Sequence, residues 1–299
     1  MIKTVDLVKR FGDKCALDAL NVEIYDGCIY GLVGSNGSGK STLLRIFSGV
    51  YYPDGGTVSV DGYSVWNNPE VKGQIFYLPD SPHFFKNANL NEMADFYSGM
   101  YATFDRSEFD RLTTIFPISR TSKIDNMSKG MQRQAALMLA MAARPKYLLL
   151  DEAFDGLDPV MRNVLKSLLI SGIEGGGMTA VIASHNLREL EDLCDHVALI
   201  HEGHIIFSDE LEAVRGGIHK VQAAFKEMPP HISFEGMQIL KCEKTGSLMQ
   251  MIIRGEEEEI LARINDLDPI FVEAIEPTLE EIFIYEMEAE GYDVKNILG

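Results

Sequence analysis

Residues 34–41 read Gly34-Ser35-Asn36-Gly37-Ser38-Gly39-Lys40-Ser41, which matches the phosphate-binding loop pattern GxxxxGK[ST]. The apolar run Cys28 to Val33 precedes them as a predicted strand, and Ser41 to Ser48 follows as a predicted helix. Glycines let the backbone bend so that successive N–H groups converge on phosphate oxygens, and the helix N-terminus adds partial positive charge. The alternative is a glycine-rich turn without a ligand, but the four fixed positions would arise by accident in only roughly one chain of this length in a hundred.

This loop assigns roles to the residues that begin the helix. Lys40 is expected to reach the β and γ phosphates, the Ser41 hydroxyl to bind Mg²⁺, and Thr42 to contact an outer phosphate. The loop therefore predicts a nucleoside triphosphate and Mg²⁺ as the bound cofactors.

Two adjacent acids form the second signal. The predicted strand Tyr147 to Leu150 delivers Asp151 and Glu152 to its carboxyl end, the edge at which α/β sheets bind ligands. Asp151 suits the Mg²⁺ shell, and Glu152 suits a base that orients or deprotonates the attacking water. The alternative, a solvated cap of the next element, loses weight because the phosphate loop lies upstream.

The surrounding pattern predicts an α/β fold with a parallel sheet. Further strand runs are Ile75 to Leu78, Thr179 to Ala183 and Val197 to Ile200. Residues 85–144 instead predict successive helices, with Asn89 and Glu92 spaced as a capping box, so we interpret them as a helical subdomain inserted into the core.

The composition changes near Gly216. From residue 216 to the end there are seven Lys or Arg and seventeen Asp or Glu, a balance of 7 − 17 = −10. Alternating runs at Lys220 to Phe225 and Leu248 to Ile253, followed by a helical pattern at Glu256 to Ile264, predict a small α+β domain. The expected domains are thus 1–215 and 216–299.

Bulk properties disfavour several classes of protein. The net charge of −18 disfavours binding nucleic acid through a broad basic surface. The four cysteines are scattered, which indicates neither a zinc site nor a disulfide framework. The longest apolar stretch, Ala135 to Ala143, is far shorter than the roughly 20 residues of a membrane span. We therefore expect a cytoplasmic protein that does not cross a membrane by itself.

Three further segments carry a family resemblance. Asn126-Met-Ser128-Lys-Gly130-Met-Gln132-Arg133 resembles the signature sequence of ATP-binding cassette (ABC) proteins, and the order is completed by Asp155-Gly-Leu-Asp158 and by Ser184-His185. The resemblance covers roughly residues 1–215. It implies a P-loop NTPase core with a β-rich N-terminal part and the inserted helical subdomain, followed by the small C-terminal domain, which by analogy regulates or stabilises a dimer.

The resemblance also implies residue roles. Phe11 would stack on adenine, His185 would contact the γ-phosphate, and Asp158 would lie in the loop between two nucleotide sites. Each has a plainer alternative: Phe11 as a core aromatic, His185 as a structural residue at a helix start, and Asp158 as an N-cap ahead of Pro159.

The signature segment implies an oligomer. Two nucleotides would lie between two cassettes, each bound by Lys40 and Ser41 of one chain and by Ser128 and Gly130 of the other. Ser128 is also placed to cap its helix, and the two roles coincide. A homodimer is favoured, with a heterodimer as the alternative.

One position departs from the family pattern. After the strand at residues 75–78 the family usually has Gln, whose carbonyl oxygen approaches Mg²⁺, whereas this chain has Asp80. Aspartate can still approach the metal, but its charge adds repulsion near the γ-phosphate. We expect Asp80 to serve as a metal-proximal residue with altered coupling.

A membrane-embedded permease is the expected partner, which would place the chain on the inner face of the cell membrane. Phe84 and Phe85, in the loop after Asp80, are candidate contacts for it, and burial under the helical subdomain is the alternative. Two other functions stay open at this stage: a cassette ATPase that acts on ribosomes or nucleic acid, and a weakly hydrolysing nucleotide-gated module.

Overall fold

The computed structural model describes residues 1–226, 229, 234 and 236–289. The chain divides into two compact units, Met1–Ser208 and Asp209–Gly299. The division falls earlier than the expected boundary at 215/216.

A six-stranded sheet forms the centre of the first unit. Its spatial order is β10-β9-β4-β8-β7-β6. The strands are β4 (Ile29–Val33), β6 (Ile75–Leu78), β7 (Tyr147–Asp151), β8 (Thr179–Ser184), β9 (His196–His201) and β10 (His204–Glu210). β4 pairs in parallel with β8 and β9, and β7 pairs in parallel with β6 and β8. The carboxyl ends of β4, β6, β7 and β8 therefore meet at one edge of the sheet.

A second, antiparallel sheet contains the N-terminal strand. β1 (Ile2–Phe11) pairs with β2 (Lys14–Leu20), β3 (Glu23–Ile24) and β5 (Gly55–Val60). Its apolar residues join those of the central sheet and of helix α1 (Lys40–Phe47) in one core that includes Leu17, Phe47 and Tyr147. This core fixes the base of the phosphate-loop helix.

The segment expected to be helical contains three α-helices and a short 3₁₀ turn. These are α3 (Leu90–Met100), α4 (Arg106–Ile115), Ile124–Asn126 and α5 (Lys129–Ala142). The predicted capping box at Asn89 and Glu92 is present at the start of α3. The remaining helices of the first unit are α2 (Pro69–Lys72), α6 (Pro159–Gly176) and α7 (Leu187–Glu191).

The second unit is an antiparallel four-stranded sheet with helices. Its strand order is β12-β13-β11-β14. The elements are α8 (Leu211–Gly216), β11 (Ile218–Ala224), β12 (Gln238–Thr245), β13 (Leu248–Arg254), α9 (Glu257–Asn265), β14 (Phe271–Ile275) and α10 (Leu279–Ala289). Alternate residues of β11 and β13 contribute to two separate apolar clusters, so both faces of the sheet are covered.

Among the described residues, the structure contains no helix that is both long enough and apolar enough to cross a membrane.

Candidate active site

The phosphate loop connects β4 to α1, and close packing or a positive φ favours glycine at its three glycine positions. A Cβ on Gly34 would lie 2.2 Å from the carbonyl oxygen of Ile200, and Gly39 has a φ of 121°. Ser38 is buried, and its backbone N–H donates to Ser35 O at 3.2 Å, which closes the turn. Asn36 and Gly37 are exposed at the tip of the loop. The predicted loop therefore has the backbone that its glycines imply.

Lys40 lies under this loop. Its side chain is only 5% exposed, and its ammonium donates to Gly34 O at 2.6 Å and Ser35 O at 3.1 Å. Burial lowers the pKa of Lys40 from its usual value, while the charges of Glu152 and Asp151 oppose this shift. The two carbonyl contacts hold the Lys40 amino group beneath the loop, where a phosphate would accept hydrogen bonds from it.

Asp151 is held at the end of β7 by two hydroxyl groups. Ser41 Oγ donates to Asp151 Oδ1 at 2.9 Å, and Tyr77 Oη donates to Oδ2 at 3.1 Å. Asp151 is 1% exposed, and burial raises the pKa of its carboxyl, with the charge of Asp80 acting in the same direction. Burial beside this acid also raises the pKa of Tyr77 to about 12.

The Ser41–Asp151 pair fits Mg²⁺. Its hydroxyl and carboxylate oxygens are the ligand types that Mg²⁺ prefers, and they already lie at contact distance. A cation would also compensate the buried carboxylate, whose raised pKa reflects the cost of its charge.

Asp80, the third expected metal residue, has a different partner in this structure. Its exposed carboxylate forms an ion pair with Arg133 at 2.8 Å. The expectation that Asp80 serves near the metal remains a prediction.

Glu152 and His185, the two predicted catalytic residues beside Lys40, are brought together by the adjacent strands β7 and β8. His185 Nδ1 lies 2.9 Å from Glu152 Oε2, and Glu152 Oε1 lies 3.8 Å from Lys40 Nζ. The backbone of Glu152 has a φ of 50°, a left-handed conformation that costs a non-glycine residue about 1–3 kcal/mol. Strain of this kind at a sheet edge is typical of a functional residue.

Besides Tyr77, sequence reasoning missed two more residues of this site. Asp155 lies with Glu152 and His185 in a group whose potential ligand atoms are all within 4.8 Å of one another. Arg133 donates to the backbone oxygens of Glu152 and Asp80. Both residues stand inside quoted motifs, but nothing in those motifs indicates which distant carbonyl or carboxylate they contact.

Phe11 lies at the end of β1 and is 44% exposed. Its ring makes an edge contact with Tyr51 at 5.4 Å between centroids. Because nearly half of the ring is accessible, it is not a core aromatic, and stacking on a base stays a prediction. Thr42, also a predicted phosphate contact, is half-buried in the first turn of α1.

The signature segment begins helix α5. Ser128 is its N-cap, and its hydroxyl accepts from Met131 N at 3.3 Å. Ser128 is exposed, while a Cβ on Gly130 would lie 3.1 Å from Gly156 O. The capped end of α5 is therefore accessible to a second molecule.

A parallel sheet with a phosphate loop, an acid pair and a histidine on one edge defines a phosphate-loop nucleotide-hydrolysing protein. The family model described as "ABC transporter" matches residues 17–155. The chain is 31% identical over 209 residues to the bacitracin transport ATP-binding protein BcrA of Bacillus licheniformis, covering 69% of this chain and 68% of BcrA. It is 28% identical over 284 residues to the ABC transporter ATP-binding protein YtrB of Bacillus subtilis, covering 95% and 97% of the two chains.

Solved structures agree. An ATP-binding subunit of an ABC transporter aligns with a TM-score of 0.67 and 25% identity over 72% of this chain and 92% of its own. A dimeric cassette bound to ADP and Pi shares the fold, with a TM-score of 0.63, 21% identity and coverage of 71% and 99%. The chain belongs to the ATP-binding cassette family, among the ATP-binding ATPase subunits of its transporters.

Proposed function

We propose that this chain hydrolyses ATP as a Mg²⁺-dependent cassette dimer and thereby drives a separate, membrane-embedded permease. One observation carries the chemistry: Lys40, Ser41, Asp151, Glu152 and His185 meet at the carboxyl edge of the sheet through direct contacts. The name of the relative BcrA states bacitracin transport, which supports a transporter ATPase as the function of this chain.

The two oxygens of Glu152 have different environments, which suggests how hydrolysis proceeds. Oε2 is held by His185, and Oε1 lies toward the Lys40 ammonium. Oε1 is therefore the oxygen that orients the attacking water and accepts its proton, while Lys40 binds the phosphate under attack. Ser41 and Asp151 would hold Mg²⁺, and the bound cation would supply positive charge near the phosphate oxygens.

The decisive experiment compares the wild type with Glu152→Gln. Mg²⁺-dependent ATP hydrolysis is measured, and the oligomeric state is followed by size-exclusion chromatography in ATP. We expect the variant to lose hydrolysis by about a hundredfold or more while it retains ATP and elutes as a dimer. A wild type that binds ATP without hydrolysing it or dimerising would contradict the proposal.

A homodimer is proposed because the chain carries both halves of the composite site. Lys40 and Ser41 supply one half, and the accessible end of α5 at Ser128 and Gly130 supplies the other. The dimeric cassette that shares this fold supports the arrangement.

The permease is proposed to dock on an exposed aromatic surface of the helical segment. Phe85 is 54% exposed and Phe96 is 41% exposed, and their rings are in edge contact at 4.7 Å between centroids. Phe84 is half-buried. Docking there would place the chain on the inner face of the membrane through its partner.

The second unit is proposed to be a regulatory or dimer-stabilising domain. Its separate core and acidic composition distinguish it from the ATPase unit. Deletion of this unit is expected to change dimerisation or ATPase activity, and unchanged values for both would refute the role.

A further inference from the structure

Arg133 occupies a position that the catalytic chemistry above does not explain. It lies in the second turn of α5, and its side chain is only 11% exposed. One guanidinium nitrogen, Nη1, donates to the backbone oxygen of Glu152. The other, Nη2, donates to the backbone oxygen of Asp80 and to its carboxylate, the latter at 2.8 Å. A single side chain therefore joins the helical segment to the ends of strands β6 and β7.

The contact with Glu152 is made at the strained residue itself. The N–H of Glu152 donates to Ala183 O at 2.9 Å, and its carbonyl accepts from Asp155 N at 3.1 Å as well as from Arg133. These bonds hold the left-handed backbone of Glu152, and its side chain is held separately by His185. Loss of the Arg133 bond would leave the backbone orientation of the base less well determined.

The contact of Arg133 with Asp80 leads toward the exposed aromatic surface formed by Phe85 and Phe96. Asp80 is followed within the same loop by Phe85, whose ring packs against Phe96 of α3. Arg133 is thus the residue through which that loop, the helical segment and Glu152 share direct contacts.

We propose that Arg133 is a positioning residue for the base Glu152 and that it transmits the position of the helical segment, and of a partner bound to it, to the hydrolytic site. The inference rests on the proposed ATPase function. Asp80 is then required chiefly as the anionic partner of Arg133, which gives a physical reason for a carboxylate where the family usually has an amide.

A planar guanidinium suits this task. Its two terminal nitrogens reach acceptors just beyond the ends of two different strands, β7 and β6, whereas the ammonium of lysine is a compact point charge. Lysine at this position is expected to retain the attraction to Asp80 but to lose the hydrogen bond to the backbone oxygen of Glu152.

Steady-state ATPase measurements on single and double variants test the proposal. Arg133→Gln is expected to lower kcat by about tenfold with KM for ATP changed by less than about twofold, because the base is misplaced while the phosphate loop is untouched. Arg133→Lys should fall between this variant and the wild type. The control is Arg120→Gln, which removes an arginine that pairs with Asp110 at 2.7 Å in the same segment, and it should stay within about twofold of the wild type.

The double variant separates coupling from independent roles. If Asp80 acts through Arg133, Asp80→Asn lowers kcat in the wild type but has no further effect in the Arg133→Gln background. The proposal would be overturned if the factors by which the two substitutions lower kcat multiply in the double variant. A kcat for Arg133→Gln within twofold of the wild type would also overturn it.

Hydrogen–deuterium exchange provides a readout that does not depend on turnover. Arg133→Gln should increase exchange in peptides that cover residues 80–86 and 152–156, and Arg120→Gln should not. Unchanged exchange in both regions would contradict the inference. A wild type without ATPase activity but with this exchange pattern would instead refute the proposed function and leave the Arg133 link standing.

Discussion

At the scale of single residues, burial of the Asp151 carboxylate lowers the stability of the folded chain, and binding of a cation would reverse this effect. The carboxylate sits in the sheet edge with two neutral hydroxyl donors, and burial raises its pKa. Its ionised form is thus disfavoured in the folded chain compared with the unfolded chain, where the carboxyl is in water. Mg²⁺ would remove this penalty on binding.

This penalty has a definite pH dependence. Between the ordinary carboxyl pKa of 3.8 and the raised folded value, the folded state binds more protons than the unfolded state, so stability falls as pH rises through this window. The loss is complete once the pH exceeds the raised folded-state pKa of Asp151.

We predict that Asp151→Asn raises the Tm of the nucleotide-free protein at pH 7, by about 2–4 °C for each kcal/mol recovered. The gain should shrink as pH falls toward the ordinary carboxyl range, and the stabilisation by ATP with Mg²⁺ should be lost. Thermal unfolding by circular dichroism at several pH values measures both effects. A gain that is independent of pH, or a destabilised variant, would show that the charge is not the cause.

Asp61 provides a control, because its pKa shift has the opposite sign to that of Asp151. Burial tends to raise its pKa, but hydrogen bonds from Lys146, the N-terminal ammonium and Tyr147 outweigh it and lower the pKa to about 2. Stability from this group is present above the ordinary carboxyl pKa and is lost as pH falls toward about 2. Asp61→Asn should therefore destabilise the protein at pH 7.

Local sequence predicted some residues of the site and not others for a physical reason. Lys40, Ser41, Asp151 and Glu152 follow strands or open a helix, so their place at the sheet edge follows from the pattern alone. Tyr77 and Arg133 take part through contacts with residues 74 and 19 positions away. Such pairings depend on how the sheet and helices pack, and no local period or motif encodes them.

At the scale of elements, the same distinction holds. The starts of two helices were predicted from their caps and are observed: α3 begins at the capping box of Asn89 and Glu92, and α5 begins after its N-cap Ser128. Pairing of β1 with β5 joins residues about fifty positions apart and contains an irregular register, and local alternation does not specify such a partner. The β-rich N-terminal part came from family resemblance rather than from the residues.

The N-cap of α5 is predicted to have a second role beyond stability. Ser128→Ala removes the hydroxyl that accepts from Met131 N, which costs about 1 kcal/mol of stability. Because the exposed hydroxyl is also proposed to contact the partner chain's nucleotide, ATP-dependent dimerisation of a Glu152→Gln background should weaken strongly. Size-exclusion chromatography in ATP measures this.

Asn89→Ala is the control variant for the Ser128→Ala prediction. It removes the side-chain cap of α3 and should lower stability by about the same 1 kcal/mol without affecting the dimer. Equal weakening by both variants would mean that dimer loss reflects helix stability alone.

The aromatic surface around Phe85 and Phe96 is predicted to bind the permease. Because the two exposed rings contact each other, the double change to serine removes the patch as a unit. We expect basal ATPase activity to stay within about twofold of the wild type, since neither ring contacts the catalytic groups, while co-purification of a membrane protein from native membranes is lost.

Tyr97 lies next to Phe96 but is half-buried and packs against Phe76 at 5.3 Å between centroids. Tyr97→Ser should lower the Tm, which marks the effect of a packing defect in the same helix. A double serine variant that behaves like Tyr97→Ser, with lower Tm and lower ATPase activity, would identify the patch as structural rather than as a docking surface.

At the scale of the whole molecule, the two units have separate buried cores. The first contains the phosphate loop and all of the groups proposed for hydrolysis, and the second is built on its own antiparallel sheet with apolar residues on both faces. Ligand binding stabilises only the structure that forms the site. Nucleotide should therefore affect the two units differently.

We predict two calorimetric transitions, of which only one responds to nucleotide. At an ATP concentration about 100 times Kd, binding adds about 2.7 kcal/mol to the stability of the first unit. For a unit of this size that corresponds to a rise of roughly 5–10 °C in its Tm. The other transition should not move.

Differential scanning calorimetry of Glu152→Gln, with ATP and Mg²⁺ added, measures this without turnover during the scan. In the double variant Glu152→Gln/Lys40→Ala, ATP should no longer raise the Tm of the first unit, because Lys40 is the proposed cationic contact of the phosphates. A single transition that moves as a whole with ATP would show instead that the second unit unfolds cooperatively with the ATPase unit, and its proposed regulatory action would then have a direct thermodynamic route to the nucleotide site.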